Sequence, residues 1–564
     1  MSDGKIRRAL IAVYDKTGIA GFARTLVDES GVEILSTGGT AAHLRQAGIP
    51  VTLVEEVTGF PEMLDGRVKT LHPMIHAGIL ADRDNAGHMS TLEKHGIRPI
   101  DMVVVNLYPF ETTVADPGCT FEQAVEMIDI GGPCLLRAAA KNHRHVVVVS
   151  DVRSLPEVLD RLRRTGGVDE AFRRQLAAAA FERTEAYDRA VSTYLRQSAG
   201  AGAASATDSG AISGLLPDFL NLQLCRWQTA RYGENPHQAG AVYRPAAAGR
   251  AREAAIPRAR VLSSQPPSFN NCADGDAALS LVKELLWSRS GRHAAAFIKH
   301  ANACGCAVGD DPVDAYRRAY LGDPVAAAGG VLCMSFPVTR AIADVVMNTF
   351  GTWGRAAGAA FFKLDVWIAP EFEEDAVRLI TTPTEKRRWG AECRLLAVGA
   401  MDAPPDPDEP DCRKITGGLL VQTRDLVGLD EERWKVVTAR RPTQAEMADL
   451  RFAWLVCKHT RSNAITVCRE GMLLGSGAGQ MSRVKSCDLA IQLARENGHG
   501  GRLAGAVAAG DAFFPVPDGP QKLIDAGITA IIQPGGGNRD AETVDLCDRA
   551  GVAMIMTGTR HFRH

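Results

Sequence analysis

Lys299 and His300 stand together at the end of an apolar run, in the stretch AFIKHANACGC. Cys304 and Cys306 follow within six residues, so the stretch offers a titratable ring, a cation and two thiols. Three interpretations are open: a metal site of His300 with the cysteines, a nucleophilic Cys304, or a structural histidine at a strand end. The cysteines lack the paired C-x-x-C spacing of a zinc site, and no Cys-His nucleophile motif is present.

Polar groups that suit an acidic ligand recur in other stretches of the second half. A cation, an aromatic ring and a histidine lie among turn residues in RYGENPHQ, and amides and arginines lie among glycines further on. These candidates are Arg231, Tyr232, His237, Asn463, Gln480, Arg483 and Arg560. Glycine permits close approach of the backbone and guanidinium groups bind oxyanions, so the pattern favours an anionic ligand.

Two glycine-rich turns of the first half follow predicted strands. They are YDKTG, with Lys16, Thr17 and Gly18, and STGGT, with Ser36, Thr37, Gly38, Gly39 and Thr40. Either turn alone is ordinary, but two such turns at the strand ends of one sheet favour a phosphate site near helix N-termini.

Charged side chains cluster in two further stretches of the first half. In GRVKT, an extended backbone would place Arg67 and Lys69 on one face. In DIGGPCLLRAAAKNH, a proline predicts a helix start, which places Arg137 and Lys141 one turn apart. Asp129, just upstream, is either an ion partner of these cations or shares a catalytic site with Lys141.

The hydrophobic pattern predicts α/β elements that would position these residues. Residues 1–150 alternate β-branched runs with amphipathic stretches, which is typical of a parallel sheet covered by helices. The segment 198–214 is rich in Ala, Gly and Ser, and we interpret it as a linker between domains at 1–197 and 215–564. Buried runs beyond it, such as AAAFI, GGVLCM and NAITVC, predict further strands.

The composition excludes several classes of protein. The 564 residues carry a formal net charge of −2, so no global basic field exists to hold nucleic acid. The thirteen cysteines are scattered, which favours a reducing compartment, and no apolar run is long enough to span a bilayer. We therefore expect a cytoplasmic protein that binds small molecules rather than nucleic acid or membranes.

The first-half motifs resemble the inosine monophosphate (IMP) cyclohydrolase domain of the bifunctional purine biosynthesis family, over residues 1 to about 196. That resemblance implies a methylglyoxal synthase-like fold and dehydrative closure of a formylated aminoimidazole carboxamide ribonucleotide (FAICAR) to IMP. It implies nucleotide binding by the two glycine-rich turns with Arg67 and Thr70, and catalysis by Lys69, Tyr108, Asp129 and Lys141. A lysine or phenol would stabilise the developing oxyanion, while Asp129 and Lys141 would move protons.

The second half, residues 220–564, resembles the transformylase of the same family. The resemblance implies two cytidine deaminase-like subdomains and formyl transfer from 10-formyltetrahydrofolate, a co-substrate, to the 5-amino group of the unformylated ribonucleotide (AICAR). It assigns His300 as the base, with Lys299 and Asn463 as oxyanion donors, and leaves the cysteines as bystanders. The implied substrate-binding residues are Arg231, Tyr232, His237, Asp365, Gln480, Arg483, Phe513, Asp518 and Arg560.

The same resemblance implies a homodimer with transformylase sites at the subunit interface, and no metal for catalysis. The sequence does not decide whether potassium binds. Residues that differ from those usual in the family are Ala12, Tyr14, Ala303, Ala326, Ala328 and Pro517. Two other hypotheses remain: a nucleotide-binding regulator that has lost one activity, and a zinc deaminase, whose H-x-E and C-x-x-C signatures are missing.

Overall fold

The computed structural model describes residues 5–200, 216, 220, 222–246, 253–288, 290–384 and 388–564. The chain divides into two units, Met1–Asp208 and Ser209–His564. Each unit has its own sheet, and apolar residues on both sides of that sheet form its core.

The sheet of the first unit is parallel throughout. Its strands are β1 (Arg8–Val13), β2 (Glu33–Ser36), β3 (Thr52–Leu53), β4 (Met102–Asn106) and β5 (Val147–Val149). They pair in the order β3-β2-β1-β4-β5. The central strands are continuous apolar runs because helices cover both faces of the sheet, which confirms the predicted α/β class.

Ten helices of the first unit lie within the described residues. They are α1 (Ile19–Ser30), α2 (Gly38–Gln46), α3 (Val54–Thr58), α4 (Pro73–Leu80), α5 (Ala86–Lys94), α6 (Phe110–Val114), α7 (Phe121–Glu126), α8 (Gly131–Lys141), α9 (Leu155–Thr165) and α10 (Glu170–Gly200). Helix α10 continues into the predicted linker, so residues 198–200 are helical rather than irregular. Residues 201–214 of that linker lie outside the described residues.

Within its described residues, the second unit has a twelve-stranded sheet and two separate hairpins. Its strands are β6 (Leu224–Ala230), β7 (Gly240–Pro245), β8 (Arg260–Val261), β9 (His293–Lys299), β10 (Asn302–Gly309), β11 (Gly330–Met334), β12 (Leu364–Ala369), β13 (Arg394–Ala397), β14 (Pro410–Ile415), β15 (Gly418–Thr423), β16 (Lys435–Val436), β17 (Ile465–Arg469), β18 (Met472–Gly477), β19 (Val507–Gly510), β20 (Ala530–Gln533) and β21 (Ala553–Met556). The large sheet has the order β16-β21-β20-β19-β17-β18-β10-β9-β11-β12-β13-β8, while β6 pairs with β7 and β14 with β15.

The same succession of elements occurs twice in this unit. Its helices are α11 (Phe269–Trp287), α12 (Pro312–Gly322), α13 (Arg340–Met347), α14 (Glu374–Thr381), α15 (Gln444–Lys458), α16 (Arg483–Glu496), α17 (Asp518–Asp525) and α18 (Asp540–Ala550). The first copy runs α11-β9-β10-α12-β11-α13-β12-α14-β13, and the second runs α15-β17-β18-α16-β19-α17-β20-α18-β21. The copies meet where β10 pairs with β18 in antiparallel register, at Ala307 and Met472. This duplication matches the two similar subdomains that were predicted.

Most of the second-unit motifs identified in the sequence lie at one end of the large sheet. Strands β9, β18 and β19 end there, and β10, β11, β12 and β17 begin there, because antiparallel neighbours run in opposite directions. Loops from both copies of the repeat therefore meet at this end.

Candidate active sites

The first unit has a cavity of about 530 Å³ beside the carboxyl ends of β1 and β4 and the starts of α2 and α8. Ligands of open parallel sheets bind outside such strand ends. Nine residues predicted as site residues line it: Lys16, Thr37, Gly39, Thr40, Arg67, Lys69, Thr70, Tyr108 and Asp129. Val13, Val105 and Leu135 add apolar walls, and this mixture is typical of a small-molecule site.

Asp129 is fixed at the start of α8. Its Oδ1 accepts the Gly132 N–H at 2.8 Å. A Cβ atom at Gly132 would collide with Asp129 Oδ2, and one at Gly131 would lie 2.9 Å from Thr70 Oγ1, so both glycines leave room for polar groups. Burial raises the pKa of Asp129, although two backbone hydrogen bonds and the charge of Lys69 oppose it. A raised pKa suits a carboxyl group that exchanges protons.

Two of the cations at the cavity already face carboxylates. Lys69 Nζ lies 3.9 Å from Glu62 Oε1, and Arg67 forms an ion pair with Glu126. The Arg67–Glu126 pair is exposed, so it contributes little stability and an anionic ligand can compete for the guanidinium group.

The loop that carries these cations does not have the fully extended backbone that would place both of them on one face. Leu64–Gly66 form a 3-10 turn, and Met63 and Val68 pair as an isolated bridge. Arg67 has helical backbone angles after that turn. The condition of an extended backbone is therefore not met at Arg67, yet both Arg67 and Lys69 line the cavity.

The hydroxyl groups of STGGT bind mainly to the protein itself. Ser36 Oγ donates to the Ile11 carbonyl at 2.6 Å, and Thr40 Oγ1 donates to the Val13 carbonyl at 2.9 Å. These bonds attach β2 and α2 to β1. Thr37, the residue before α2, does not cap the helix with its side chain, so the first N–H groups of α2 can face an anion.

Asn106 was not predicted as a site residue, although it lines the cavity. Its Oδ1 accepts the Tyr14 and Asp15 N–H groups, and its Nδ2 donates to the Asp15 carbonyl at 2.8 Å. Tyr14 meets Tyr108 edge-on, with ring centroids 5.7 Å apart, and Ala12 lies beside them in the lining. One of the two family departures, Tyr14, thus forms an aromatic wall of the cavity together with Tyr108, and the stretch NLYPF, residues 106–110, was the available signal for Asn106.

Five predicted residues are outside the lining of this cavity: Thr17, Gly18, Ser36, Gly38 and Lys141. The Thr17 N–H bonds to Asp15 Oδ1 at 2.9 Å in the turn before α1, and Gly18 precedes that helix with a φ of 72°. Ser36 and Gly38 line a neighbouring cavity of about 260 Å³, which shares Lys69 with the larger one.

Lys141 is not brought next to Asp129. It is the exposed last residue of α8, whereas Asp129 precedes the first, Gly131. At 1.5 Å per residue, the two ends of this helix are about 15 Å apart. The expected sharing of one site is therefore not observed within this chain. Arg137, one turn before Lys141, lies 5.6 Å from the Phe181 ring rather than against a carboxylate.

His300 occupies the turn between β9 and β10 in the second unit. His300 and Ala301 both have positive φ, 52° and 60°, as in a two-residue type I′ hairpin. Asp274 of α11 accepts both backbone N–H groups, from His300 at 3.2 Å and from Ala301 at 2.7 Å. The imidazole is exposed, so its backbone is fixed while the ring can reach a ligand. Lys299 Nζ donates to the Ala328 carbonyl at 3.0 Å.

Asn463 and Arg483 form a hydrogen-bonded pair at the same end of the sheet. Arg483 Nη2 donates to Asn463 Oδ1 at 2.8 Å, and Asn463 Nδ2 donates to the Gln480 carbonyl at 2.8 Å. Asp511, a buried residue that was not predicted, accepts from Arg483 Nη1 and from Ser462 Oγ. The carboxylate fixes the guanidinium group, which in turn orients the amide. The stretch GDAFFPVPDG, residues 510–519, contains Asp511 and was the available signal.

A side-chain bridge joins the His300 turn to the Asn463 loop. Asn302 Nδ2 donates to the His300 carbonyl at 3.0 Å, and Asn302 Oδ1 accepts the Arg461 N–H at 3.0 Å. Arg461 is two residues before Asn463. One amide side chain therefore connects the candidate catalytic loops of the two repeat copies.

The remaining predicted residues are spread more widely. Arg231, Tyr232 and His237 lie in the loop between β6 and β7, which Asn270 of α11 contacts through the Glu234 carbonyl at 3.1 Å. Phe513, an exposed aromatic residue, lies close to Gly537. The Arg560 guanidinium lies 4.5 Å from the Phe562 ring centroid.

Asp365 lies apart from the Asn463 loop, and Asp518 lines a separate cavity. Asp365 pairs with Lys363 at 3.3 Å in β12. Five strand spacings, about 24 Å, separate β12 from β17, the strand that follows Asn463. Asp518 begins α17 and lines, with Pro517, a separate cavity of about 510 Å³. No other residue predicted for substrate binding lines that cavity.

Neither cysteine interpretation fits the structure. Cys304 and Cys306 pack into different cores on the two sides of the sheet. Burial raises the pKa of Cys304 to about 12 and raises that of Cys306 as well, which makes both thiols unreactive. Within the described ranges, the only trio of side chains arranged like metal ligands is Asp82, Asp84 and His145 in the first unit, not one with His300.

Three of the remaining family departures are Ala303, Ala326 and Ala328, of which Ala328 contacts Lys299. Ala328 binds Lys299 with its backbone carbonyl, so this contact does not depend on the side chain. The Ala326 N–H bonds to Asp323 Oδ1 at 2.8 Å, and Ala303 is buried in β10. These alanines therefore leave the backbone support of the site in place.

In the described parts of the chain, none of the helices has the length and apolar character that crossing a membrane requires.

Two family models match the chain, and the second begins within the first structural unit. The MGS-like domain matches residues 18–134, and the AICARFT/IMPCHase bienzyme family matches residues 139–493. The bifunctional purine biosynthesis protein PurH of Magnetococcus marinus is 46% identical over 567 residues, which is 99% of this chain and 100% of that protein. The crystal structure of ForH is 34% identical over 33% of this chain and 97% of that one, with a TM-score of 0.29.

Fold and sites together define a bienzyme that joins an MGS-like α/β unit to a larger unit with a duplicated α/β sheet. The chain belongs to the AICARFT/IMPCHase bienzyme family, and it is an AICAR formyltransferase and IMP cyclohydrolase. The predicted bifunctional enzyme is thereby confirmed, and the regulator hypothesis is not favoured.

Proposed function

We propose that the first unit closes FAICAR to IMP in the cavity that contains Asp129, and that the second unit transfers the formyl group at the His300 turn. The observation that carries the second assignment is the turn itself. A single carboxylate, Asp274, binds both of its N–H groups while the imidazole stays exposed. A rigid backbone with a free titratable ring is what a general base requires.

Ring closure needs an oxyanion donor and a group that moves protons. Lys69 stabilises the charge that grows on the formyl oxygen as the carboxamide nitrogen attacks, and Tyr108 donates from the same cavity. Asp129, whose pKa is raised by burial, accepts the proton of that nitrogen and returns one to the departing water. Lys16 and the first N–H groups of α2 bind the phosphate.

Formyl transfer starts from a poorly nucleophilic amine. We assign 10-formyltetrahydrofolate as the formyl donor, and His300 accepts the proton that the 5-amino group of AICAR loses as it attacks. Lys299 uses one of its three N–H donors on Ala328, and Asn463 uses one of two on Gln480. The donors that remain stabilise the oxyanion on the formyl carbon. As this oxyanion collapses, the bond from the formyl carbon to N10 breaks, and His300 returns its proton to N10 so that tetrahydrofolate leaves.

We also propose that two copies of the chain associate, with transformylase sites at their interface, and that the enzyme works in the cytoplasm. Support comes from the spread of the assigned residues. Asp365 lies in β12 and Asn463 precedes β17. These two strands are about 24 Å apart in one chain, which is too far for both residues to contact one small substrate. A second copy can bring the two ends together.

The test of both assignments is a product assay on the purified chain. AICAR and 10-formyltetrahydrofolate are supplied, and tetrahydrofolate and IMP are quantified separately. We expect both products. Accumulation of FAICAR without IMP would overturn the assignment of the first cavity, and absence of tetrahydrofolate would overturn that of the His300 turn. Sedimentation equilibrium tests association, which a fully active monomer would refute.

A further inference from the structure

Tyr187, in the middle of α10, contacts the backbone that carries Asp129. Its side chain is almost completely buried, at 1% exposure. Its hydroxyl oxygen accepts the Asp129 N–H at 2.8 Å, and its O–H donates to the Met127 carbonyl at 2.9 Å. One phenol group thus binds the backbone on both sides of Ile128, at the Met127 carbonyl and at the Asp129 N–H.

This connection matters because the segment it binds belongs to neither flanking helix. Helix α7 ends at Glu126 and α8 begins at Gly131, so residues 127–130 lack a continuous ladder of backbone hydrogen bonds. The carboxylate of Asp129 is tied to α8 through Gly132, but its own N–H is satisfied by Tyr187. The phenol therefore holds in place the turn from which the carboxyl group projects.

Burial also fixes the protonation state of this phenol. It raises the pKa of Tyr187 to about 12, so the hydroxyl stays neutral at physiological pH. A neutral hydroxyl can donate and accept at the same time, which is what its two backbone partners require. The ring packs edge-on against Phe110, with centroids 6.1 Å apart, so the side chain has little freedom to move.

We propose that Tyr187 is a positioning residue for ring closure: it sets the place of the Asp129 carboxyl group without touching the substrate. This inference rests on the proposed role of Asp129. Tyr187 lies outside the MGS-like match at residues 18–134, so a helix beyond that domain completes the cyclohydrolase site. A misplacement of about 1 Å in a catalytic group can reduce turnover by about 100-fold.

The test compares Tyr187→Phe with Tyr194→Phe in the full-length enzyme. Tyr194 lies on the same helix and also meets Phe110 edge-on, at 5.7 Å, so its variant controls for loss of a phenol from α10. FAICAR is supplied directly, and kcat and KM for closure are measured. We expect Tyr187→Phe to lower kcat at least tenfold with KM changed less than twofold, and Tyr194→Phe to leave both nearly unchanged.

Two further measurements separate the possible failures. Hydrogen exchange of the peptide covering residues 127–132 should accelerate in Tyr187→Phe only, and formyl transfer by the same chain should stay normal. If Asp129→Asn abolishes closure while Tyr187→Phe keeps the wild-type kcat, the positioning role of Tyr187 is refuted and the proposed role of Asp129 stands. If Asp129→Asn leaves closure intact, the proposed role of Asp129 fails, and this inference fails with it. Equal losses in both tyrosine variants would also overturn it.

Discussion

The two hairpins at the centre of the large sheet have the same backbone but different side chains. In the first copy, Asp274 of α11 binds the N–H groups of His300 and Ala301. In the second copy, Asp449 of α15 binds those of Glu470 and Gly471 at 2.8 and 2.7 Å. All four turn residues have positive φ, and both helices begin with a capping box.

The difference lies in what the neighbouring charges do. Around the second turn, Glu470 pairs with Arg502 at 2.9 Å, and Arg469 donates to the Ala504 carbonyl at 2.6 Å. Around the first turn, the His300 side chain is exposed, and Asn302 connects the turn to the loop that carries Asn463. The comparison teaches that the scaffold alone does not make a site, because only one of two equivalent turns presents a free titratable group.

The largest expected effect comes from removing that group. His300→Ala should reduce formyl transfer by about 10²- to 10⁴-fold, which is the usual contribution of general base catalysis. Closure of supplied FAICAR should be unchanged, since that site belongs to the other unit. Glu470→Ala, at the equivalent turn, is the matched control and should retain full transfer. A transfer rate in His300→Ala equal to that of the control would show that the two turns do not differ in function.

A smaller effect is expected from the two carboxylates that hold the turns. Asp274→Asn and Asp449→Asn each replace one acceptor oxygen by an N–H₂ group that opposes a backbone N–H. Both should lower the free energy of unfolding by a similar amount, about 1–3 kcal/mol, measured in urea. Only Asp274→Asn should also lower kcat for formyl transfer, by about tenfold, because it displaces His300. Equal effects of the two variants on formyl transfer would mean that the hydrogen bonds between Asp274 and the His300 turn have no specific catalytic consequence.

The smallest effect concerns the second residue of each turn. Ala301 has a φ of 60°, where an L-residue is strained, and Gly471 has the equivalent place with a φ of 64°. Ala301→Gly should raise the free energy of unfolding by up to about 1 kcal/mol. Gly471→Ala should lower it, because the new Cβ would also lie 2.9 Å from Val308 Cγ2. The reverse order of stabilities would show that backbone strain does not distinguish the turns.

Local patterns predicted the elements well but not the contacts between them. The apolar run before Lys299 correctly indicated a strand, and the STGGT and DIGGP stretches do border the cavity at Asp129. Asp274 and Asp511 were missed because each acts on residues 26 or more positions away, a separation that no periodicity reveals. Lys141 was placed beside Asp129 because both lie in one motif, whereas a straight helix separates them.

The hydrogen bonds between Asp449 and the turn of the second copy have a consequence for the evolution of such enzymes. Asp449 binds the backbone of Glu470 and Gly471, neither of which is among the residues assigned to catalysis, so this hydrogen-bonding arrangement has a structural value of its own. A duplicated gene segment supplies two prepared backbones. A new side chain can then arise by mutation at one turn, while the other turn continues to stabilise the sheet.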